Sequence, residues 1–266
     1  QVASKNIYKR PKAASGRKSM PRLLVRPGQR QKLTQKNLPI FVVWPGHFAI
    51  IITPKQKGKL KMKVSEARAA VGGLSVPSKM PCYSFGISAD HCKTGSKLAK
   101  IKGSICNTCY AQKGAYKWTP TKNAHERRIN LIGTSNWVDN MVRAINNADY
   151  FRWFDSGDVQ SDEMLADIVR VALATPNTKH WLPTHENFIV SRYLRKHDKF
   201  PSNLTVRVSA AMVDGEPPKR FALTSTVHQL GKPIGRECPS SKQGNKCGDC
   251  RACWNPRIKN ISYKYH

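Results

Sequence analysis

From residue 135 onward the apolar positions fall into regular periods. Trp137, Val138, Met141, Val142 and Ile145 repeat at helical spacing and predict an amphipathic helix starting near Ser135. Tyr150-Phe151-Arg152-Trp153-Phe154 predicts a buried strand, with Asp155-Ser156-Gly157-Asp158 as the turn after it. Ser161 is suited to an N-cap, and Asp162 and Glu163 occupy the first turn, where the helix dipole favours acids. That helix runs through Met164, Leu165, Ile168, Val169 and Ala172 until Pro176. A strand at about Lys179–Pro183, a helix at about Asn187–Lys196, a strand at Leu204–Ala210 and a strand-like run at Phe221–Val227 follow. Strands and helices alternating at this spacing predict an α/β fold with a parallel sheet and crossover helices.

The first half is less regular. Leu38–Val43 and Ala49–Ile52 are short β-like runs separated by Pro-Gly, and Ser65–Ala70 is a helical turn ending at Gly72-Gly73. Residues 74–120 are cysteine-rich and loop-like, and the first thirty residues read as an arm that is flexible or ordered only on a partner. The expected division is a basic extension over 1–64 and an α/β domain over 65–266 carrying the cysteines.

Charge changes this picture. The 266 residues hold 46 Lys+Arg against 16 Asp+Glu, a net +30, and no acid precedes Glu66. Such self-repulsion in a compact chain points to a polyanionic partner, DNA or alternatively RNA. Lys9, Arg10, Lys12, Arg17, Lys18, Lys57, Lys59 and Lys61 are the expected backbone contacts. The longest apolar run, Phe48–Ile52, is far short of the ~20 residues of a membrane span, so no membrane is expected. The chain lacks an initiator Met and a signal-peptide pattern, which leads to the expectation of a cytoplasmic, mature or trimmed protein.

Eight cysteines form two sets along the chain. Cys82, Cys92, Cys106 and Cys109 have 9, 13 and 2 residues between neighbours; Cys238, Cys247, Cys250 and Cys253 have 8, 2 and 2. Pairs two residues apart can turn both sulfurs toward one ion, and Gly244-Asn245 and Gly248 give the second set the needed backbone freedom. Each set is therefore a candidate metal site, with zinc expected and an iron–sulfur cluster as the alternative. His266 is a further candidate ligand to the second set.

Carboxylates are scarce, so those after predicted strands stand out. Asp155 and Asp158 follow the first, Glu186 the second and Asp214 the third, the end of an α/β sheet where working residues gather. These four are the candidate catalytic groups, with Ser156, Gly157, Gln160 and His185 beside them as candidate substrate contacts. No phosphate-binding Gly-Lys-Ser/Thr loop, Gly-x-Gly-x-x-Gly or Gly-x-Ser-x-Gly is present, which removes support for nucleotide hydrolysis, dinucleotide redox chemistry and serine hydrolysis. Tyr110, Tyr116-Lys117-Trp118 and Trp254 are aromatics placed among basic residues, a pattern that suits base stacking.

Asp155-Ser156-Gly157-Asp158-Val159-Gln160 is similar to the Asp-Ser-Gly-Gly-Phe-Gln motif of the queuine/archaeosine tRNA-guanine transglycosylases, departing from it at Asp158 and Val159. Cys247, Cys250, Cys253 and His266 resemble a compressed form of that family's Cys3His zinc site. Cys109-Tyr110-Ala111-x-x-Gly114-x-Tyr116 and the ending Cys253-Trp254…Tyr263-Lys264-Tyr265-His266 resemble a family of small phage proteins. Together the likeness covers about residues 78–266. It implies a (β/α) barrel-like fold, such as an incomplete TIM barrel, in a phage relative that exchanges guanine in DNA for a free 7-deazaguanine base. It implies Asp155 as the base-recognising acid/base and Asp214 as the nucleophile forming a covalent intermediate. Two other expectations stand beside it: an iron–sulfur enzyme related to the radical-SAM barrels, and a non-enzymatic, metal-stapled nucleic-acid binder.

Overall fold

A computed structural model describes residues 62–265, together with the backbone of two short strands, β1 (Ile40–Val42) and β2 (Ile50–Ile52). The chain divides into compact units at Leu60/Lys61. In the first unit β1 and β2 pair antiparallel, Phe41 opposite Ile51, so both expected β-like runs form strands.

The second unit is an α/β structure around a seven-stranded, all-parallel sheet. Its strands are β3 (Tyr83–Phe85), β4 (Tyr150–Trp153), β5 (Lys179–Thr184), β6 (Leu204–Val213), β7 (Thr224–His228), β8 (Arg236–Glu237) and β9 (Asn260–Lys264). They lie in the order β3-β4-β5-β6-β7-β9-β8. Five successive strands that are also spatial neighbours give the sequential winding of a barrel, without the reversal of strand order found in doubly wound sheets. Among the described residues β3 and β8 do not pair, so the sheet is an open arc. The outer edge of β3 is covered instead by Ser75, which exchanges backbone hydrogen bonds of 2.8 and 2.9 Å with Ser84.

The strand registers sort side chains onto two unlike faces. Phe85, Phe151, Trp153, Leu182, Leu204, Val206 and Val208 lie on one face. They are buried against α1 (Val64–Ala70), α4 (Trp137–Ile145), α5 (Asp162–Ala174) and α6 (Asn187–His197), forming a single apolar core with Trp137, Met141, Leu165 and Ile168. Burying side chains of this size stabilises by about 1.5–3 kcal/mol each, before the entropy cost of ordering them. The opposite face carries Arg152, Trp181, Thr205 and Arg207. Here the C-terminal cysteine segment takes the place of helices. Trp254, buried, meets Trp181 and Tyr150 edge-on and donates its indole N–H to Phe151 O at 2.9 Å.

The expected elements from α4 onward match within a few residues, and Ser161 Oγ does accept from Met164 N at 3.2 Å. Three differences matter for the site. The stretch read as loop over 74–120 contains β3, α2 (Lys93–Leu98) and several 3-10 turns. A further helix, α3 (Thr119–Leu131), follows it. β6 also runs three residues beyond Ala210, held by pairing of Met212 with Ser104 and of Val213 N with Gly103 O at 3.0 Å.

Candidate functional site

The C-terminal ends of β3, β4 and β5 bring together Asp155, Asp158, Glu186 and the segment bearing Cys92, Cys106 and Cys109. β4 ends because Phe154 turns into the left-handed region at φ 52°, which throws Asp155-Ser156-Gly157-Asp158 across the strand ends. Gly157 has φ 78°, and a Cβ there would overlap Ile87, so this turn is restricted to glycine. All three carboxylates are nearly inaccessible: Asp155 is 5%, Asp158 5% and Glu186 6% exposed.

Their hydrogen bonds set them apart. Asp158 Oδ1 accepts from Val159 N (2.7 Å) and Thr184 Oγ1 (2.6 Å), and Oδ2 accepts from His185 N (2.8 Å). It ties the loop after β4 to the end of β5. Burial nevertheless pushes its pKa up to about 7, the three donors offsetting only part of that cost. Glu186 accepts from Thr94 N and Thr94 Oγ1, both at 2.8 Å, and so fastens α2 to the start of α6. Gln160 is likewise engaged, donating to Asp158 O at 2.7 Å and accepting from Lys93 Nζ on its carbonyl at 2.7 Å. Burial holds His185 near pKa 4, so its ring is neutral at pH 7.

Asp155 differs. Its backbone carbonyl accepts from Tyr110 Oη at 2.6 Å, but its Oδ1 is buried and has no hydrogen-bond partner among the described residues. The space it occupies exists because residue 86 is glycine: a Cβ there would collide with that oxygen. Neighbouring Ser156 Oγ is also buried and unpartnered. Arg128, fixed by Gly73 O, Ser75 Oγ and Gly86 O, and Arg152, fixed in part by Tyr110 Oη, supply positive charge near it.

Asp214 does not join this cluster. It lies past a bulge in β6, where Val213 faces Val227, three residues beyond Thr224, the partner of Val208, so it stands about 13 Å further along the strand direction than Thr184. Its carboxylate accepts from Gln229 N (2.7 Å), Leu230 N (3.0 Å) and Gly231 N (3.1 Å), and these donors hold its pKa below the usual range. At φ 55° it caps the turn after β7. The structure thus places this candidate catalytic carboxylate apart from Asp155, Asp158 and Glu186 and gives it three N–H donors of the turn after β7.

The cysteines are also arranged differently from their order in sequence. Cys82 immediately precedes β3, whereas Cys92, Cys106 and Cys109 follow its other end. A Cβ on Gly95 of α2 would stand 3.6 Å from both Cys92 Sγ and Cys106 Sγ, so glycine leaves open the space between those sulfurs. Cys109 N donates to Cys106 O at 3.3 Å, closing the tight turn expected of that pair. Near the C-terminus Cys247 N donates to Lys79 O (2.9 Å), Cys238 N to Ser262 O (2.8 Å), and Cys253 Sγ meets Tyr263 Oη at 3.4 Å. Burial pushes the Cys82, Cys106 and Cys253 thiols up to about 12. Among the described residues no three Cys, His, Asp or Glu side chains close around one point as a metal ion requires. His266 and the basic residues Lys9 through Lys61 named above lie outside the described residues.

Of the aromatics expected at the surface, Trp254 is core at 3% exposed, while Trp118 is 66% exposed. Phe188, in the first turn of α6 directly after Glu186, is 73% exposed and carries no sequence pattern that marks it. Lys117 Nζ lies 3.8 Å from Asp90, and Thr94 binds Glu186, so Trp118 and Phe188 flank the same short segment, residues 90–94. Between Asp90 and Glu126 the chain holds seven lysines and no acid.

These features define an α/β protein with an open, sequentially wound parallel sheet, a buried acidic cluster and a cysteine segment at its strand ends. The family described as Gene product 88 matches residues 53–256, and the chain belongs to this phage family. No curated protein and no solved structure matches the chain. No helix among the described residues is long and apolar enough to cross a membrane.

Proposed function

We propose that this protein is an enzyme that modifies a base in nucleic acid, DNA in the first instance, at the C-terminal ends of β3–β5. The observation that carries this is Asp155. It is the strand-end carboxylate with a buried oxygen that no loop uses, and Asp158 and Glu186 are the struts around it. A buried, unpaired acid oxygen costs stability, and such costs concentrate at sites of chemistry. The net +30, the acid-free lysine segment and exposed Trp118 and Phe188 fit a nucleic-acid strand laid across this rim. A base inside a duplex is out of reach of a buried acid, so the target nucleotide must be flipped or single-stranded.

Within this class we favour exchange of guanine for a free 7-deazaguanine, with Asp155 holding or moving the proton on the base and Ser156 beside it. The sheet would then be the greater part of a TIM-like barrel. Attack on C1′ falls to Asp158, which must first release Thr184 and His185, because Asp214 is committed to its turn. The test is nucleoside mass spectrometry of DNA from cells making the protein, with Asp155→Asn as comparison. Wild-type exchange by the Asn variant overturns the assignment.

A second reading is favoured by the three cysteines that share this end of the sheet: an iron–sulfur enzyme in which those thiolates hold the cluster. A brown protein containing iron and sulfide supports it. A colourless protein with stoichiometric zinc returns the cysteines to a structural role.

A further inference from the structure

The sheet itself divides the cysteines. All seven strands run parallel, so residues before a strand and residues after it lie at opposite ends. Cys82 is the residue before β3, and Cys92, Cys106 and Cys109 come after it. The chain from Cys82 to Gly86 is extended and spans about 13 Å. Thiolates sharing one ion, each about 2.3 Å from it, lie within ~4 Å of one another. Cys82 is thus on the wrong end of the strand to complete a set with the three cysteines nearest to it in sequence.

Cys82 has other company. The Lys79 carbonyl, three residues before it, is bonded to Cys247 N. Arg251 lies over Tyr150 at the start of β4, and Trp254 packs on Tyr150 and Trp181 at the same end. The C-terminal cysteine loop therefore covers the end of the sheet that Cys82 enters from. At the other end, Cys92 Sγ and Cys106 Sγ each lie 3.6 Å from the point a Cβ on Gly95 would occupy, so the two sulfurs are at most about 7 Å apart and close by up to about 3 Å to share an ion.

We propose that the cysteines serve two separate sites for a thiophilic metal, divided three and five by the sheet. Cys92, Cys106 and Cys109 form a three-thiolate site with one open position at the strand C-terminal ends, and Cys82 supplies one of the four thiolates of a closed one, the other three coming from among Cys238, Cys247, Cys250 and Cys253. The open site lies where a reactant has access, beside the Asp158–Glu186 struts, and the closed one staples the C-terminal loop. This partition stands whether the enzyme exchanges bases or does other chemistry.

Cobalt(II) titrated anaerobically into the reduced full-length chain tests it through the thiolate charge-transfer and ligand-field bands. Two equivalents are expected, one lost in Cys106→Ser and the other in Cys250→Ser. Cys82→Ser should weaken the Cys250-dependent ion at least tenfold and leave the Cys106-dependent one unchanged. Added imidazole should shift only the Cys106-dependent bands. The partition is overturned if Cys82→Ser weakens the Cys106-dependent ion instead, or if fewer than two equivalents bind. A readout free of substitutions is alkylation mapping of the unaltered chain as zinc is added. Cys82 should become protected together with Cys247 and Cys250, and its protection together with Cys92 and Cys106 sinks the proposal.

Discussion

Arg207 is a buried cation whose hydrogen bonds among the described residues all go to backbone carbonyls. Its side chain is fully buried on the face opposite the helices, where its guanidinium donates to Cys253 O (3.1 Å), Ile258 O (2.9 Å) and Asn255 O (2.8 Å). Longer bonds reach Ala252 O, Thr224 O and Lys259 O. Burial pulls its pKa down, yet arginine remains charged, so these carbonyls take the place of a counter-ion. Replacing it with Met keeps the volume but leaves three well-bonded carbonyls without donors, at about 1–3 kcal/mol for each that stays buried. Removing a costly buried charge and letting the loop reach water offset part of that, so about 3 kcal/mol is the expected net loss. For a domain of this size that lowers Tm by roughly 6–12 °C. Lys cannot reproduce the planar fork and should recover less than half of the loss. Thermal melts followed by Trp fluorescence provide the measurement, since Trp254 leaves its pocket when the loop detaches. A Met variant melting within 2 °C of wild type, or a Lys variant matching it, refutes the carbonyl-cage account (both thresholds set at about the smallest ΔΔG of interest).

His180 gives a pH dependence of definite sign. Buried beside Trp153 and bonded to Thr175 Oγ1, it is held to a pKa of about 3 by desolvation, against ~6.5 unfolded. Below about pH 6.5 the unfolded chain therefore binds a proton that the folded chain does not. Stability contributed by neutral His180 should fall by about 1.4 kcal/mol per pH unit down to about pH 3, and denaturant melts of His180→Gln should show a flatter profile. Glu186→Gln keeps the bond from Thr94 Oγ1 or N but weakens both, and amide exchange in α2 should rise about tenfold with little change at α4, consistent with the roughly 1.5–3 kcal/mol of a charge-assisted bond. Trp118→Ala and Phe188→Ala should each weaken single-stranded DNA binding by about 1–3 kcal/mol without altering its salt slope, as read by anisotropy at several salt concentrations. Unchanged affinity in both variants removes the stacking role.

The elements from α4 to β6 were legible because their apolar residues repeat with a clear period and face one core. α3 was not, because its interior is polar and charged, with only His125 and Arg128 buried. β8 and β9 escaped because β8 is only Arg236-Glu237, and the alternation of Asn260-Ile261-Ser262-Tyr263-Lys264 is short and buries the polar Asn260 and Ser262 along with Ile261. The strand-end acids were found, but their work was not readable. Asp158, Glu186 and Asp214 look alike in sequence, and only their partners (Thr184, Thr94 and the turn after β7) distinguish strut and turn-cap from the unpaired Asp155. The cysteines were grouped by spacing, and the three-residue strand that separates Cys82 from Cys92 was not read from the sequence. Alternation in Tyr83-Ser84-Phe85 was the available signal.

The bond from Thr94 to Glu186 joins residues 92 apart in sequence, and this sets a schedule for biosynthesis. At about 5–20 residues per second, the chain bearing Cys92 leaves the ribosome roughly 5–20 s before its anchor at the start of α6 is made. Local contacts alone cannot hold α2 in that interval, since loop closure over such a distance waits for the sheet. The thiols at the strand ends therefore reach their final positions late, after the parallel strands have paired. Whatever they are to bind is best delivered to the folded sheet rather than to the nascent chain.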